Sequence, residues 1–125
     1  MALDDIDIGI LAFLSDTPDS TTTDISKALF KPPYNLGKLD SFIRYRMKRF
    51  VEEKLVATIK KERKNYYSVN EERVIFGDGI LRMNGQGEIN IGYFLVFKTK
   101  TDQTIAVSLD DYEQRIKPKK NFSEK

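Results

Sequence analysis

The amino-acid sequence predicts an α+β fold, with helices in the first half of the chain and antiparallel strands in the second. Up to about residue 54, apolar residues recur at the three-to-four-residue spacing of helices. From Leu55 onward, short β-branched and aromatic runs alternate with turn residues. The chain has 125 residues, of which 40% are hydrophobic and 32% charged, so it is long enough to bury a core without disulfides or metal.

Two short helices are predicted first, one from Asp4 to Ser15 and one from Thr22 to Phe30. Asp4 or Asp5 is the expected N-cap of the first helix. Thr21, with an aspartate three residues later, forms a near capping box for the second helix. Lys31-Pro32-Pro33 must end this helix, because proline cannot continue it.

The third predicted helix, from Gly37 to Lys54, has two chemically distinct faces. Its apolar face carries Leu39, Ile43, Met47, Phe50 and Val51. Its opposite face carries Lys38, Ser41, Arg44, Tyr45, Lys48 and Arg49. The first face is predicted to pack in the core. The second face suits a groove that carries negative charge.

A strand from Leu55 to Ile59, a charged tip at 60–65 and a returning strand from Tyr66 to Val69 predict a basic β-hairpin. We expect the two tyrosines of the returning strand to pack on the core. Beyond it, two short apolar pieces flank Gly77-Asp78-Gly79, and Asn84 to Gly87 form a turn.

The remaining elements are strands from Tyr93 to Thr99 and from Thr104 to Leu109, then a short helix ending near Ile116. Ser108 is the expected cap of that helix, and Tyr112 is expected to pack inward. The predicted domains are a helical and hairpin unit at 1–70, a small β extension at 71–116 and a basic flexible tail at 117–125.

The net charge of +2 conceals a segregated pattern. Residues 1–24 contain six aspartates and no basic residue, whereas residues 38–64 contain ten basic and four acidic residues. The central segment therefore creates a local positive field that suits a polyanionic partner.

Several classes of function lose support from the composition. The chain has no cysteine and no histidine, which removes thiolate metal sites, the usual catalytic triads and most zinc sites. Its glycine-containing turns lack the Gly-Lys-Ser/Thr signature of a phosphate-binding loop. We therefore expect no enzyme activity, metal or cofactor. The N-terminus lacks the basic region of a signal peptide, and no apolar run spans a bilayer, so we expect a cytoplasmic protein without membrane contact.

The order of helix, helix, turn, longer helix and basic hairpin resembles the winged helix-turn-helix family of DNA-binding transcription regulators. The local resemblance lies in Met47 to Val56, similar to the end of a recognition helix entering a wing strand, and in Arg63 to Val69, similar to the return strand. The chain departs from the family pattern at Lys54, where glycine is frequent, and in the longer turn before the third helix.

The resemblance implies sequence-specific binding to double-stranded DNA, with the third helix in the major groove and the wing on the backbone or in the minor groove. Arg44 is the expected guanine contact. Lys48 and Arg49 are expected to hold phosphates, and Ser41 and Tyr45 to contact base or phosphate. The full expected set is Thr21, Thr22, Lys38, Ser41, Arg44, Tyr45, Lys48, Arg49, Lys60, Lys61, Arg63 and Lys64.

Two alternatives stay open at the level of sequence. The domain is alternatively a protein-protein interaction module or a subunit of a larger assembly. An enzyme site in the β half is the weaker alternative. The resemblance also implies a homodimer on palindromic sites, and the exposed edge of the Tyr93–Leu109 hairpin is one hypothesis for its interface. Nothing in the residues identifies a small-molecule effector.

Overall fold

The computed structural model describes residues 2–122, except for the side chains of residues 80, 81, 83, 90 and 91. It has three helices, α1 (Asp5–Asp16), α2 (Thr22–Leu29) and α3 (Leu36–Glu52), followed by five strands. The helix ends lie within two residues of the predicted ends, and the α+β class is confirmed.

The helix starts follow from local side-chain chemistry. Asp4 Oδ1 accepts a hydrogen bond from the Asp7 amide at 2.8 Å, and Asp7 Oδ2 accepts from the Asp4 amide at 3.1 Å. Thr21 and Asp24 form the same reciprocal capping box at the start of α2. These caps satisfy amides that have no partner within their own helix, so both helices begin where the sequence predicts.

Strands β1 (Val56–Lys61) and β2 (Lys64–Val69) form the predicted hairpin. Its turn is only two residues, Glu62 and Arg63, both with positive φ, which matches the right-handed twist of the flanking strands. The predicted tip at 60–65 is therefore mostly strand. Ser20, in the loop before α2, exchanges two backbone hydrogen bonds with Tyr67 of β2, which ties the hairpin to the helices.

The second sheet has the order β3-β4-β5 and is antiparallel throughout, with β3 (Val74–Met83), β4 (Gly87–Lys98) and β5 (Thr104–Leu109). The prediction of two apolar pieces separated at 77–79 is wrong, because β4 pairs with β3 continuously through that segment. A β-bulge in β4 shifts the register, and Gly92 at a φ of 70° occupies the conformation that it requires. The predicted turn at 84–87 and the bounds of β5 are confirmed.

A π-helical turn (Tyr112–Ile116) follows β5, but Ser108 does not cap it. The Ser108 hydroxyl donates instead to Asp110, because the turn starts too far along the chain for a serine at 108 to reach its amides. Ile116 is fully buried, and Tyr112 packs with the rings of Phe76 and Tyr93. The predicted inward packing is thus confirmed.

The prediction of a flexible tail is wrong for residues 117–122. The Lys120 amide donates to the Leu29 carbonyl at 2.9 Å, and the Lys31 amide donates to the Lys120 carbonyl at 3.0 Å. The Phe122 ring lies 5.7 Å from Phe30 and 5.4 Å from Phe42. Aromatic packing holds this segment against α2 and α3, and residues 123–125 lie outside the described part.

One core connects the helices with the second sheet. Its buried side chains include Ile10 of α1, Phe50 of α3, and Leu95 and Phe97 of β4. The predicted boundary near residue 70 separates the β1-β2 hairpin from the three-stranded sheet, and independent folding of the two parts stays a prediction. None of the helices within residues 2–122 has the length and apolar character needed to span a membrane.

Candidate nucleic-acid interface

Helix α3 separates a buried apolar face from an exposed polar face. Leu39, Ile43, Met47 and Phe50 are completely buried, so the helix is held firmly on one side. The exposed face carries five of the predicted site residues, Lys38, Ser41, Arg44, Tyr45 and Lys48. Tyr45 also lies on this face and is 78% exposed.

A cleft of about 580 Å³ runs between α3, the start of α2 and the β1-β2 hairpin. We call it the α3–hairpin cleft. Its basic lining residues are Arg44 from α3 and Arg63 and Lys64 from the hairpin. A smaller cavity of about 320 Å³ also touches Arg44 and extends the surface to Lys48. The structure thus brings basic residues about 20 positions apart in sequence onto one surface.

Two carboxylates also line the α3–hairpin cleft, Asp24 and Asp40. Asp40 accepts hydrogen bonds of 2.9 Å from the hydroxyls of Thr23 and Ser26. Asp24 accepts from the Thr21 amide in the capping box. Asp40 thus connects α3 to α2, whereas Asp24 caps the start of α2, and the charge of both carboxylates reduces the positive potential of the cleft.

The basic residues of the hairpin are all exposed but not equivalent. Lys61 Nζ lies 3.7 Å from Asp19 Oδ2 and 5.4 Å from the centre of the Tyr66 ring. Lys60, Arg63 and Lys64 make no ion pair among the described residues. Tyr67 is buried, as predicted for the returning strand, and Tyr66 is half-buried.

The two threonines at the start of α2 differ in their surroundings. The Thr21 amide donates to Asp24 Oδ2, so the expectation that this amide is free for a phosphate is corrected. The Thr21 hydroxyl oxygen accepts from the Asp24 amide, which leaves its hydrogen able to donate, so a phosphate contact by the hydroxyl stays a prediction. Thr22 is half-buried and lines the cleft, where its side chain is within reach of a bound group.

Arg49 contacts a carboxylate of its own chain, whereas a phosphate contact was expected. Its Nη2 donates to Asp7 Oδ2 at 2.7 Å, and Arg46 Nη1 donates to Asp7 Oδ1 at the same distance. Only 2% of the Asp7 side chain is exposed, so its charge requires compensation by these arginines. Arg49 therefore fastens α3 to α1, and the expected phosphate contact is corrected.

The ion-pair network shifts two pKa values. Burial opposes the charge on Arg46, but hydrogen bonds to Asp4 and Asp7 outweigh it and raise its pKa above the ordinary value. Burial likewise opposes the charge on Asp4, yet hydrogen bonds from the Asp7 amide and Arg46 lower its pKa. Both groups are held in their charged forms.

Sequence reasoning missed this network and the place of Asp40. Asp7 and Arg46 are 39 residues apart, and no local pattern signals their contact. The position of Asp40 beside Arg44 had a weak sequence signal, because residues one helical turn apart on α3 are neighbours. Within residues 2–122, no group of three acidic, histidine or cysteine side chains is placed to hold a metal ion.

Comparison with known proteins gives no relative. No family model, no curated protein and no solved structure matches the chain. The arguments for function therefore depend on the residues and their geometry.

Proposed function

We propose that this protein is a winged-helix transcription regulator that binds specific sites in double-stranded DNA. The observation that carries the proposal is the α3–hairpin cleft, in which Arg44 of the helix and Arg63 and Lys64 of the hairpin line one surface. An α-helix fits the major groove of B-DNA, and basic groups beside it meet the phosphate backbone.

In this proposal α3 enters the major groove by its exposed face. Arg44 is the candidate for a bidentate contact to guanine, since its guanidinium is exposed and makes no ion pair among the described residues. Tyr45 projects beside it. Ser41 donates its hydroxyl hydrogen to the Gly37 carbonyl at 3.0 Å, so it offers DNA mainly a lone pair, which suits an amino donor on a base.

The other cations position the protein on the backbone. Lys48 lies one turn beyond Arg44, and Lys38 lies near the start of α3. Lys60, Arg63 and Lys64 reach the backbone or minor groove from the hairpin, with Lys61 turned towards Tyr66 and Asp19. Phosphate contacts of this kind supply affinity and orientation without distinguishing sequences. Arg49 and the Thr21 amide are excluded from the proposed set.

The test is fluorescence anisotropy with a labelled random-sequence duplex at low and moderate salt. Wild type is compared with the double substitution Arg44→Ala/Lys48→Ala. The matched control, Lys98→Ala/Lys100→Ala, removes the same charge from residues that do not line the α3–hairpin cleft. We expect tight, salt-sensitive binding that only the first variant weakens. Loss of the proposed Lys48 phosphate contact should also lower the salt dependence of that variant.

Two outcomes contradict the proposal. Equal weakening by both double variants would show that net charge alone drives binding. No binding at low salt would favour the alternative of a protein-protein interaction module with an acidic partner. If binding passes this test, selection from a random pool with wild type and Arg44→Ala shows whether Arg44 specifies a base.

A further inference from the structure

The outer edge of β3 offers backbone hydrogen-bonding groups to a further strand. Among the described residues, β3 pairs with β4 alone, so it forms one edge of the sheet. It is ten residues long, whereas β5 at the opposite edge has six. A long edge strand is a template for pairing with another chain, and a short one is much less so.

Several of the usual protections of an edge strand are missing from β3. Its sequence contains neither proline nor lysine, the residues that most often prevent pairing at an edge. The β-bulge of this hairpin places its extra residue in β4, between Asn90 and Gly92, so β3 itself keeps a regular register. Ile75, near its start, is 57% exposed. The Val74 amide, at the start of β3, donates to the Asn70 carbonyl, and beyond it no other described strand pairs with this edge.

The charges of β3 are complementary to those of a second copy. Asp78 and Arg82 are its only charged residues, and they are four positions apart, hence on the same face of the strand. In an antiparallel pair of β3 strands with a two-fold axis at Ile80, Asp78 of each copy lies directly opposite Arg82 of the other. Directly opposite side chains are within ion-pair reach, and no other register matches both charges.

The side chains are positioned for this pairing. Asp78 is exposed, and the Arg82 side chain is 81% exposed. Arg82 Nε lies 3.1 Å from Glu88 Oε1 on β4, which orients the guanidinium while its two terminal amino groups can still donate to a second carboxylate. The edge formed by β5 cannot make such ion pairs, since Thr104–Leu109 contains no charged residue.

We propose that the protein forms a two-fold homodimer in which the β3 strands of two copies pair antiparallel about Ile80. The two three-stranded sheets then become one sheet of six strands. The occupant of the β3 edge is thus a second copy of this chain, and the hypothesis of an interface at the Tyr93–Leu109 hairpin is replaced. This proposal does not depend on DNA binding, and either one can fail while the other holds.

The first test is charge reversal, measured by sedimentation equilibrium of the full chain at about 1 to 100 µM. We expect a dimer for wild type and at least a tenfold larger dimer dissociation constant for Asp78→Arg, which faces Arg82 of the second copy. The reciprocal variant Arg82→Asp should weaken the dimer similarly. The double variant Asp78→Arg/Arg82→Asp should restore it, because each new charge again meets its opposite. Circular dichroism confirms that each variant is folded.

The second test uses the absence of native cysteine. At the two-fold axis residue 80 faces its own copy at a Cα separation of about 4.5 to 5.5 Å, within disulfide range. Ile80→Cys should therefore cross-link to a dimer under mild oxidation. In the control Ile75→Cys, the exposed cysteines of the two copies are ten strand positions apart, roughly 33 Å, and should stay monomeric on a denaturing gel.

Three results would overturn the proposal. A wild type that sediments as a monomer throughout the concentration range has no such interface. A dimer that survives both single charge reversals uses another surface. Cross-linking of Ile75→Cys as readily as Ile80→Cys would show random collision instead of a fixed register.

Discussion

Helix α3 carries two pairs of basic residues that look alike in sequence and differ completely in surroundings. Arg46 and Arg49 donate to the buried Asp7 carboxylate of α1. Arg44 and Lys48 lie on the exposed face, line cavities beside the hairpin and make no ion pair among the described residues. One pair connects helices within the fold, and the other is available to a partner.

The difference shows that a basic residue acquires its role from the carboxylates around it. A buried carboxylate without compensation is costly, so removing Asp7's partners would destabilise the fold. An exposed arginine contributes little to the stability of the fold. It forms a favourable ion pair only when a polyanion binds. Arg46 adds a second structural contact, because its guanidinium lies 4.6 Å from the centre of the Phe42 ring.

The largest effect is expected from Asp7→Ala. The substitution removes the reciprocal cap of α1 and leaves Arg46 and Arg49 without their shared carboxylate. We expect a loss of about 3 kcal/mol in the free energy of unfolding, measured by urea denaturation near neutral pH. The control is Asp16→Ala, an exposed aspartate at the other end of α1 that makes no ion pair among the described residues. It should change stability by no more than about 0.5 kcal/mol.

A loss of stability in Asp7→Ala as small as that in Asp16→Ala would contradict the proposed difference between the two pairs of basic residues on α3. In that case the Asp7–arginine network would be a surface feature with no structural consequence, and Arg49 would return to the candidates for phosphate binding.

The next effect concerns DNA affinity and tests both pairs with single substitutions. We expect Arg44→Ala to weaken binding by about 1 to 3 kcal/mol, roughly 5- to 150-fold, on a selected site. Stability should stay within about 0.5 kcal/mol of wild type. Arg49→Ala should show the opposite pattern, with lower stability and nearly unchanged affinity. Anisotropy titration and urea denaturation of the same samples measure both quantities, and a larger affinity loss for Arg49→Ala would reverse the assignment.

Local signals in the sequence predicted much of this fold, and long-range contacts decided the rest. The Thr21 cap and both ends of β5 followed from residues within a few positions. Gly77 and Gly79 suggested a break, but the ladder with β4 overrides that preference. Phe122 meets Phe30 and Phe42 only after the chain has folded, so composition alone predicted a flexible tail.

The candidate site divides in the same way. Periodicity correctly placed Arg44 and Lys48 on the outer face of α3, because the apolar stripe fixes the rotation of the helix. It also placed Arg49 at the margin of that face. The role of Arg49 depends instead on the Asp7 carboxylate of α1, to which it donates. The corrected role of Arg49 arises from Asp7, a polar partner on another helix that helical spacing cannot identify.

A smaller effect is expected at the start of α2. Thr21→Ala removes the side-chain cap and should lower the free energy of unfolding by about 1 kcal/mol. Thr21→Ser keeps the hydroxyl and should retain most of that stability. If the hydroxyl serves only as the acceptor of the cap, neither variant should weaken DNA binding more than twofold at equal folded fraction. A marked affinity loss for Thr21→Ala, corrected by Thr21→Ser, would instead place a phosphate at this position.

The smallest effect is the pH dependence contributed by Asp4. Burial opposes its charge, but the Asp7 amide and Arg46 lower its pKa below the ordinary value of 3.8. A carboxyl whose pKa is lower in the folded state stabilises the protein above its unfolded pKa, and this stabilisation disappears as pH falls through the folded pKa. Because the side chain is 56% exposed, solvent screening keeps the contribution below about 1 kcal/mol. Urea denaturation should therefore show wild type more stable than Asp4→Asn near pH 6, with the gap closing below pH 3.8. A gap that widens on acidification would mean that the Asp4–Arg46 contact does not favour the charged carboxylate, and the comparison between the two pairs of basic residues would then depend on Asp7 alone.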